Sequence, residues 1–515
     1  MTSDAPPAAE LALPLPAVAW RRLSPRMLLI HPVREVVRFI PALVGIFFAG
    51  GSSQGGGHWW SLGALGVVLV LSVIRWVTTR YQITAQQVQL RTGLFRKRII
   101  TTPADRVRTV DVTEHALHRV LGLARVSIGT GTSDRKREAL VLDGLSTGEA
   151  RALRSELLHR APAGGPWTLP TTIEPAGAET ELARLDPTWV RFAPFTLSGV
   201  VTALAVAGFA WNSLNQSHIT AGDVGAIQTA LGQLRGFPVW LLVVQVVLGV
   251  VVVITAFSVV GYLLAFWRFR LTRHPGGTLQ VTRGLITNRS TSIEHRRLRG
   301  VSVSQPLLLR AVGGARLTAV ATGLRVGRGS ERGGTVLTPP APLAEVSGVA
   351  DRILSGPGAE QAVRASLIPH PRSALRRRLA RSSGGWLVLS LVLGALWRWA
   401  GWPMLLAGIA TGALALSLAL GRDRYAALGH AVFGDFLVTR YGSLDRRREI
   451  LQIDCIIGWN FRQTIFQRRL GLLSTVATTA AGRQGYRLDD LDPDEALRVA
   501  RAGTPGLLDE FVVWR

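Results

Sequence analysis

The stretch TGLFRKRIITTPADRVRTVDVTEHALHRVLGLARVSIGTG, residues 92–131, decides the fold. Two later stretches answer it: RGLITNRSTSIEHRRLRGVSVSQPLLLRAVGGARLTAVATG at 283–323, and YGSLDRRREILQIDCIIGWNFRQTIFQRRLGLLSTVATTAAG at 441–482. Aligned on a turn glycine, they bring Gly93, Gly284 and Gly442 into register, and the glycine closing a later apolar run falls at Gly122, Gly313 and Gly471. The separation is constant, since 122 − 93, 313 − 284 and 471 − 442 all equal 29. Such self-similarity marks one structural unit used three times.

Within the first copy, Gln82 to Arg91 and Val107 to Val112 alternate apolar and polar residues at period two, the pattern of half-buried strands. Gly93 lies between strand-like runs, where positive φ suits a hairpin turn. Glu114 to Leu121 carries Ala116, Leu117, Val120 and Leu121 on one helical face, Gly122 ends that short helix, and Arg125 to Gly129 returns to strand. The unit closes with LSTGEARALRSELL, where Ser146 and Glu149 make a capping box, echoed by Asp492 and Glu495. Several strands and one closing helix predict a small α+β domain of antiparallel sheet.

Outward from these domains the chain is strongly apolar. Hydrophobic residues make up 48% of the 515 residues, and the mean hydropathy of +0.26 predicts membrane spans joined to soluble parts. Six candidate spans fall in three pairs: 36–50 with 59–77, 192–211 with 237–267, and 386–400 with 402–420. A Leu-x-Pro echo precedes each pair, at Leu23 to Pro25, Leu185 to Pro187 and Leu367 to Pro369. The expected organisation is therefore a leader at 1–20, hairpin 21–78, domain 79–160, linker 161–184, hairpin 185–267, domain 268–356, hairpin 367–421, domain 422–503 and tail 504–515.

The links inside the hairpins are nearly uncharged, whereas the outer flanks are crowded with arginine. The positive-inside rule therefore predicts cytoplasmic termini and cytoplasmic domains in a multi-pass membrane protein. Arg34, Arg38, Arg268, Arg270, Arg376, Arg377 and Arg378 are the candidate contacts to anionic lipid headgroups. The formal net charge is +26, but only Lys97 and Lys136 are lysines, so the arginine excess reflects composition as much as recognition.

RVRTVDVTEHALHRVLGLARVSIGTG, from Arg106, resembles the signature region of bacterial pleckstrin-homology (PH) domains of the second type, in membrane proteins of the YdbS/YdbT-like family. The resemblance runs from about Arg21 to Gly503. It implies three PH-like domains, each preceded by two transmembrane helices, in a bacterial cell membrane, and a smaller PH-domain membrane relative as protein partner.

No catalytic set emerges, and neither enzyme activity nor a cofactor is expected. His115 and His118 form a spaced pair, but their counterparts Pro306 and Leu309 cannot ligate a metal. GTGTSD at Gly129 to Asp134 lacks the Gly-Lys-Ser/Thr ending of a phosphate loop. Asp489, Asp490, Asp492, Asp494 and Glu495 fit a helix N-terminus better than a cation site, and Cys455 reads as a small buried hydrophobe. No nucleic-acid-binding motif accompanies the basic charge. The expected function is a membrane-anchored scaffold presenting three PH-like domains to protein, to one another or to anionic lipid. The alternative is a membrane component of export, lipid handling or resistance to envelope-active compounds.

Overall fold

The computed structural model describes residues 20–27, parts of 66–107, 109–129, 140–158, 179–196, 208, 238–322 without 276, and 335–506. The described chain forms two compact units, divided near residue 169. The expected span 36–50 lies outside the described residues, as do Arg34, Arg38, most of 59–77, most of 192–211, the linker residues 161–178 and residues 130–134 of GTGTSD.

In the first unit an antiparallel sheet runs in the order β1 (Arg21–Arg22), β2 (Arg80–Ile83), β3 (Gln87–Thr92) and β4 (Arg98–Pro103). The alternation from Gln82 to Arg91 is thus two strands, not one. Thr84 turns the chain between them, its backbone N–H donating to the Gln87 carbonyl at 2.9 Å, and the alternation changes phase there, from Tyr81 and Ile83 to Val88 and Leu90. After β4 come β5 (Thr109–Glu114), the short helix α1 (Ala116–Val120), β6 (Leu123–Gly129), β7 (Leu140–Ser146) and the closing helix α2 (Thr147–Leu158). Tyr81, Val88, Leu90, Val110, Val126, Ile128, Leu142 and Leu153 are buried in its core. The capping box forms: Ser146 N–H donates to Glu149 Oε2 at 3.1 Å, and Glu149 N–H to Ser146 Oγ at 3.2 Å.

The second unit carries the same pattern twice. Strand β8 (Thr180–Arg184) precedes a 3₁₀ segment, Pro187–Phe195, and the long apolar helix α3 (Val239–Phe266). Then β9 (Arg270–Arg273), β10 (Thr278–Arg283) and β11 (Asn288–Glu294) build outward from β8. Next follow β12 (Leu298–Pro306), α4 (Leu307–Ala311), β13 (Gly314–Ala321), β14 (Val336–Pro342), α5 (Leu343–Ile353) and α6 (Ala359–Arg364).

The third copy opens on two long helices, α7 (Arg372–Ala400) and α8 (Met404–Ala426). They are linked by three residues and pack together, with Ser390 Oγ 2.9 Å from Thr411 Oγ1. Helix α7 begins at Arg372 rather than at Trp386, because the arginine-rich flank continues the helix below its apolar part. Residues Val247–Phe266 of α3, α7 and α8 are long and apolar enough to cross a membrane. Strands β15 (Gly429–Phe433), β16 (Phe436–Tyr441) and β17 (Asp445–Gln452) precede a 3₁₀ turn at Ile453–Cys455. Strand β18 (Ile456–Arg462), α9 (Ile465–Arg469), β19 (Leu473–Thr479), β20 (Gly485–Leu491) and α10 (Pro493–Gly503) complete the chain's described part.

Two features lay beyond the sequence reading. First, the first two copies take a strand, and the third a single bridging residue, from before the apolar pair: β1 pairs with β2, β8 with β9, and Ile368 bridges to His430. The apolar pair is thus inserted between the first and second strands, and β8 occupies what the sequence assigns to linker. Second, β12 pairs along its length with β17, from Gly300↔Leu451 to Pro306↔Asp445, making one six-stranded sheet from two copies.

Candidate functional site: the junctions between helices and domains

The turn glycines explain their fixed spacing. Gly93, Gly284 and Gly442 have φ of 108°, 111° and 102°, and a Cβ would lie 2.0 Å from the Thr287 carbonyl oxygen at Gly284 and 2.1 Å from that of Asp445 at Gly442. Gly122, Gly313 and Gly471 end the short helices at φ of 67°, 72° and 62°.

The point of attachment is a β-bulge. Register shifts occur at Ala124/Arg125, Ala315/Leu317 and Leu473/Thr475, opposite the end of the last strand of each copy. Gly144, Pro340 and Asp490 occupy the bulge, each two residues before the cap of the closing helix: Ser146, Pro342 and Asp492. Each is contacted by chain leading into or out of the apolar pair, through different chemistry. Ser24 N–H donates to the Gly144 carbonyl at 3.2 Å, and buried Met27 fills the space over Gly144, where a Cβ would lie 3.0 Å from its sulfur. Tyr262, on α3, donates its hydroxyl to the Pro340 carbonyl at 3.0 Å. In the third copy Arg377 pairs with fully buried Asp490, and Arg378 Nε donates to Asp490 Oδ2 at 3.1 Å.

The short helices lie beside these points. His118 is buried on α1 with Nε2 3.0 Å from Asp143 Oδ1. Its counterpart Gln467 donates to Asp490 Oδ1 at 3.0 Å, and forms a capping box with Thr464. On α4, Arg310 Nη2 reaches Asp423 Oδ1 at 3.2 Å, near the end of α8, and Arg446 meets the same oxygen at 3.0 Å. A carboxylate at a helix C-terminus opposes the helix dipole, and these two cations compensate it.

The third junction contains a buried imidazole pair. His430 Nδ1 lies 3.2 Å from His370 Nε2, and His430 Nε2 lies 3.2 Å from Glu495 Oε1. Burial, then the neighbouring His430, pushes His370 down to about 4. Burial also lowers His430, against the pull of Glu495. Glu495 therefore serves His430 and Arg498 rather than completing a capping box, while Asp492 accepts from Asp494 N–H at 3.0 Å.

A small polar cavity of about 40 Å³ sits at the β12–β17 seam, lined by Ser302, Arg316, Arg447, Glu449, Arg483 and Tyr486 among others. Burial raises the Glu449 carboxyl, which accepts from the Tyr441 hydroxyl at 3.1 Å. Cys455 is partly buried, and burial pushes its thiol up to about 12, which makes it a poor nucleophile.

The arginines proposed as headgroup contacts divide. Arg268 and Arg376 are exposed. Arg270 is exposed too and pairs with Glu181 at 3.2 Å, whereas Arg377 and Arg378 turn their guanidinium groups toward Asp490. The sequence reading missed Gly144, Tyr262, Asp423, Glu449 and the His370–His430 pair, and read Asp490 only as dipole charge. The position two residues before each closing cap was the one signal available.

No curated protein and no solved structure was found to match the chain. The model of the bacterial PH domain family matches residues 35–161, 220–355 and 386–503. With most of its length covered in three matches that coincide with the three structural copies, the chain belongs to the bacterial PH domain family.

Proposed function

We propose that this protein is a non-enzymatic scaffold of the YdbS/YdbT-like type. It is anchored by six spans in three hairpins, with both termini and its three PH-like domains at the cytoplasmic face of a bacterial membrane. The observation that supports the reading is the bulge contact in every copy, made by chain next to or within its apolar segment. Domains held this way meet partners at high effective concentration, so weak contacts add. Exposed Arg268, Arg270 and Arg376, with Arg34 and Arg38, supply cations for an anionic leaflet, each worth about 1 kcal/mol near the surface, while Arg377 and Arg378 are engaged by Asp490. The partners are anionic lipid and protein, including a smaller PH-domain membrane relative.

The test uses the full chain reconstituted in bilayers of phosphatidylcholine with and without phosphatidylglycerol. Hydrogen exchange over 268–273 and 372–378 is expected to slow with the anionic lipid and to recover in high salt. Exchange indifferent to lipid charge, together with a detergent pull-down that recovers chaperones alone, would overturn the scaffold reading.

A further inference from the structure

The β12–β17 seam shows how one copy receives the next, and both strand types recur at the ends of the chain. With 442 − 284 equal to 158 and 442 − 93 equal to 349, β18 is the counterpart of β12, and β4 the counterpart of β17. Among the described residues both are edge strands: β18 opens the sheet β18-β19-β20, and β4 ends the sheet β1-β2-β3-β4.

Strand β18 keeps features that β12 uses. Both carry a bulge at their start, Leu298/Gly300 and Ile456/Gly458. In β12 the Ile450 carbonyl approaches Gly300 so closely that a Cβ would lie 2.0 Å from its oxygen, while nothing lies within 4 Å of a Cβ built on Gly458. Val303 is 6% exposed under β17, and its counterpart Phe461 is 36% exposed. Ile457, the bulge residue before Gly458, is 65% exposed. On β4, Ile99 is 56% exposed. An open strand edge with exposed apolar side chains is a template for strand addition.

We infer that β18 of one chain receives β4 of a second copy, in the register β12 uses for β17. Transferring Val303↔Arg448 by these offsets sets Phe461 opposite Ile99, an aromatic and β-branched pair of the kind that stabilises antiparallel ladders. Gly300↔Leu451 becomes Gly458 opposite Thr102, and Ser304↔Arg447 becomes Arg462 opposite Arg98, the one repulsive pair. The contact joins unlike surfaces, so it propagates head to tail into a ring or a row. This rests on the scaffold reading and names a second copy of the chain as its partner.

The test places p-benzoylphenylalanine at Phe461 in the full chain, in membranes containing a mixture of ¹⁵N-labelled and unlabelled copies. Irradiation is expected to join 461 to peptide 98–103 of the other isotope, in dimers and higher multiples. Capture of the chain's own residues 507–515, of lipid, or of a different protein overturns the inference. Gly458→Val, which meets open space in the single chain, is expected to cut the adduct at least several-fold, and Arg462→Glu to raise it by a similar factor; no change in either also overturns it. If lipid- and salt-dependent exchange persists while the adduct is missing, the self-association fails and the scaffold reading stands.

Discussion

At the scale of residues, Asp490 shows what pairing distant in sequence does. Its carboxylate is fully buried against Arg377 and Arg378, so removing it takes that partner from Arg377 and leaves Arg378 only the longer pairing with Asp489. Asp490→Ala is expected to destabilise the third domain by ~3–5 kcal/mol, read as a lowered midpoint in denaturant unfolding of the detergent-solubilised chain. The sequence showed Asp490 inside an acidic run before a helix, which explains Asp492 and Asp494 but not a residue whose Arg378 partner lies 112 positions earlier. The imidazole pair gives a second expectation. His370 is held down to about 4, while the unfolded group titrates near 6.5. The folded state therefore binds fewer protons between these values, and stability present above pH ~6.5 is lost as pH falls toward 4. The loss approaches ~3 kcal/mol. Thermal unfolding across that range checks it, and His370→Phe should flatten the slope; the groups facing the pair are Glu495, Arg498 and Arg378.

At the scale of elements, the two glycine classes should respond differently to alanine. Gly284→Ala drives a methyl into the Thr287 carbonyl at φ 111°, whereas Gly313→Ala meets open space at φ 72°. The helix-ending position should cost about 1 kcal/mol, and the hairpin position clearly more, as ranked by thermal midpoints. Local signals of this kind were legible: turn glycines, the short helices and the Ser146–Glu149 box all have causes within a few residues. The Thr84 turn was not, because its only trace in the sequence is a one-residue phase shift of the alternation, from Tyr81 and Ile83 to Val88 and Leu90, with no glycine or proline to mark it. Helix α7 began earlier than read because hydropathy marks where a helix is apolar, not where its hydrogen bonds start.

At the scale of the whole molecule, repetition was legible and association between copies was not. Nothing local in LRGVSVSQP states that its neighbour is DRRREILQ, since strand pairing across copies is set by tertiary packing. The seam joins the second and third domains within the second unit, so the two are expected to unfold together. Gly300→Val, which would strike the Ile450 carbonyl, is expected to split their unfolding into two transitions by calorimetry, with Gly458→Val leaving a single one.

The strand that precedes each apolar pair also sets a clock. Strand β8 ends at Arg184 and its partner β9 starts at Arg270, so a ribosome working at roughly 5–20 residues per second leaves β8 waiting on the order of ten seconds. In that interval the intervening apolar chain, including α3, is synthesised. The sheet of the second domain can therefore close only after the whole apolar stretch between its first two strands has left the ribosome, and until then β8 is a strand whose edge has no partner within its own domain.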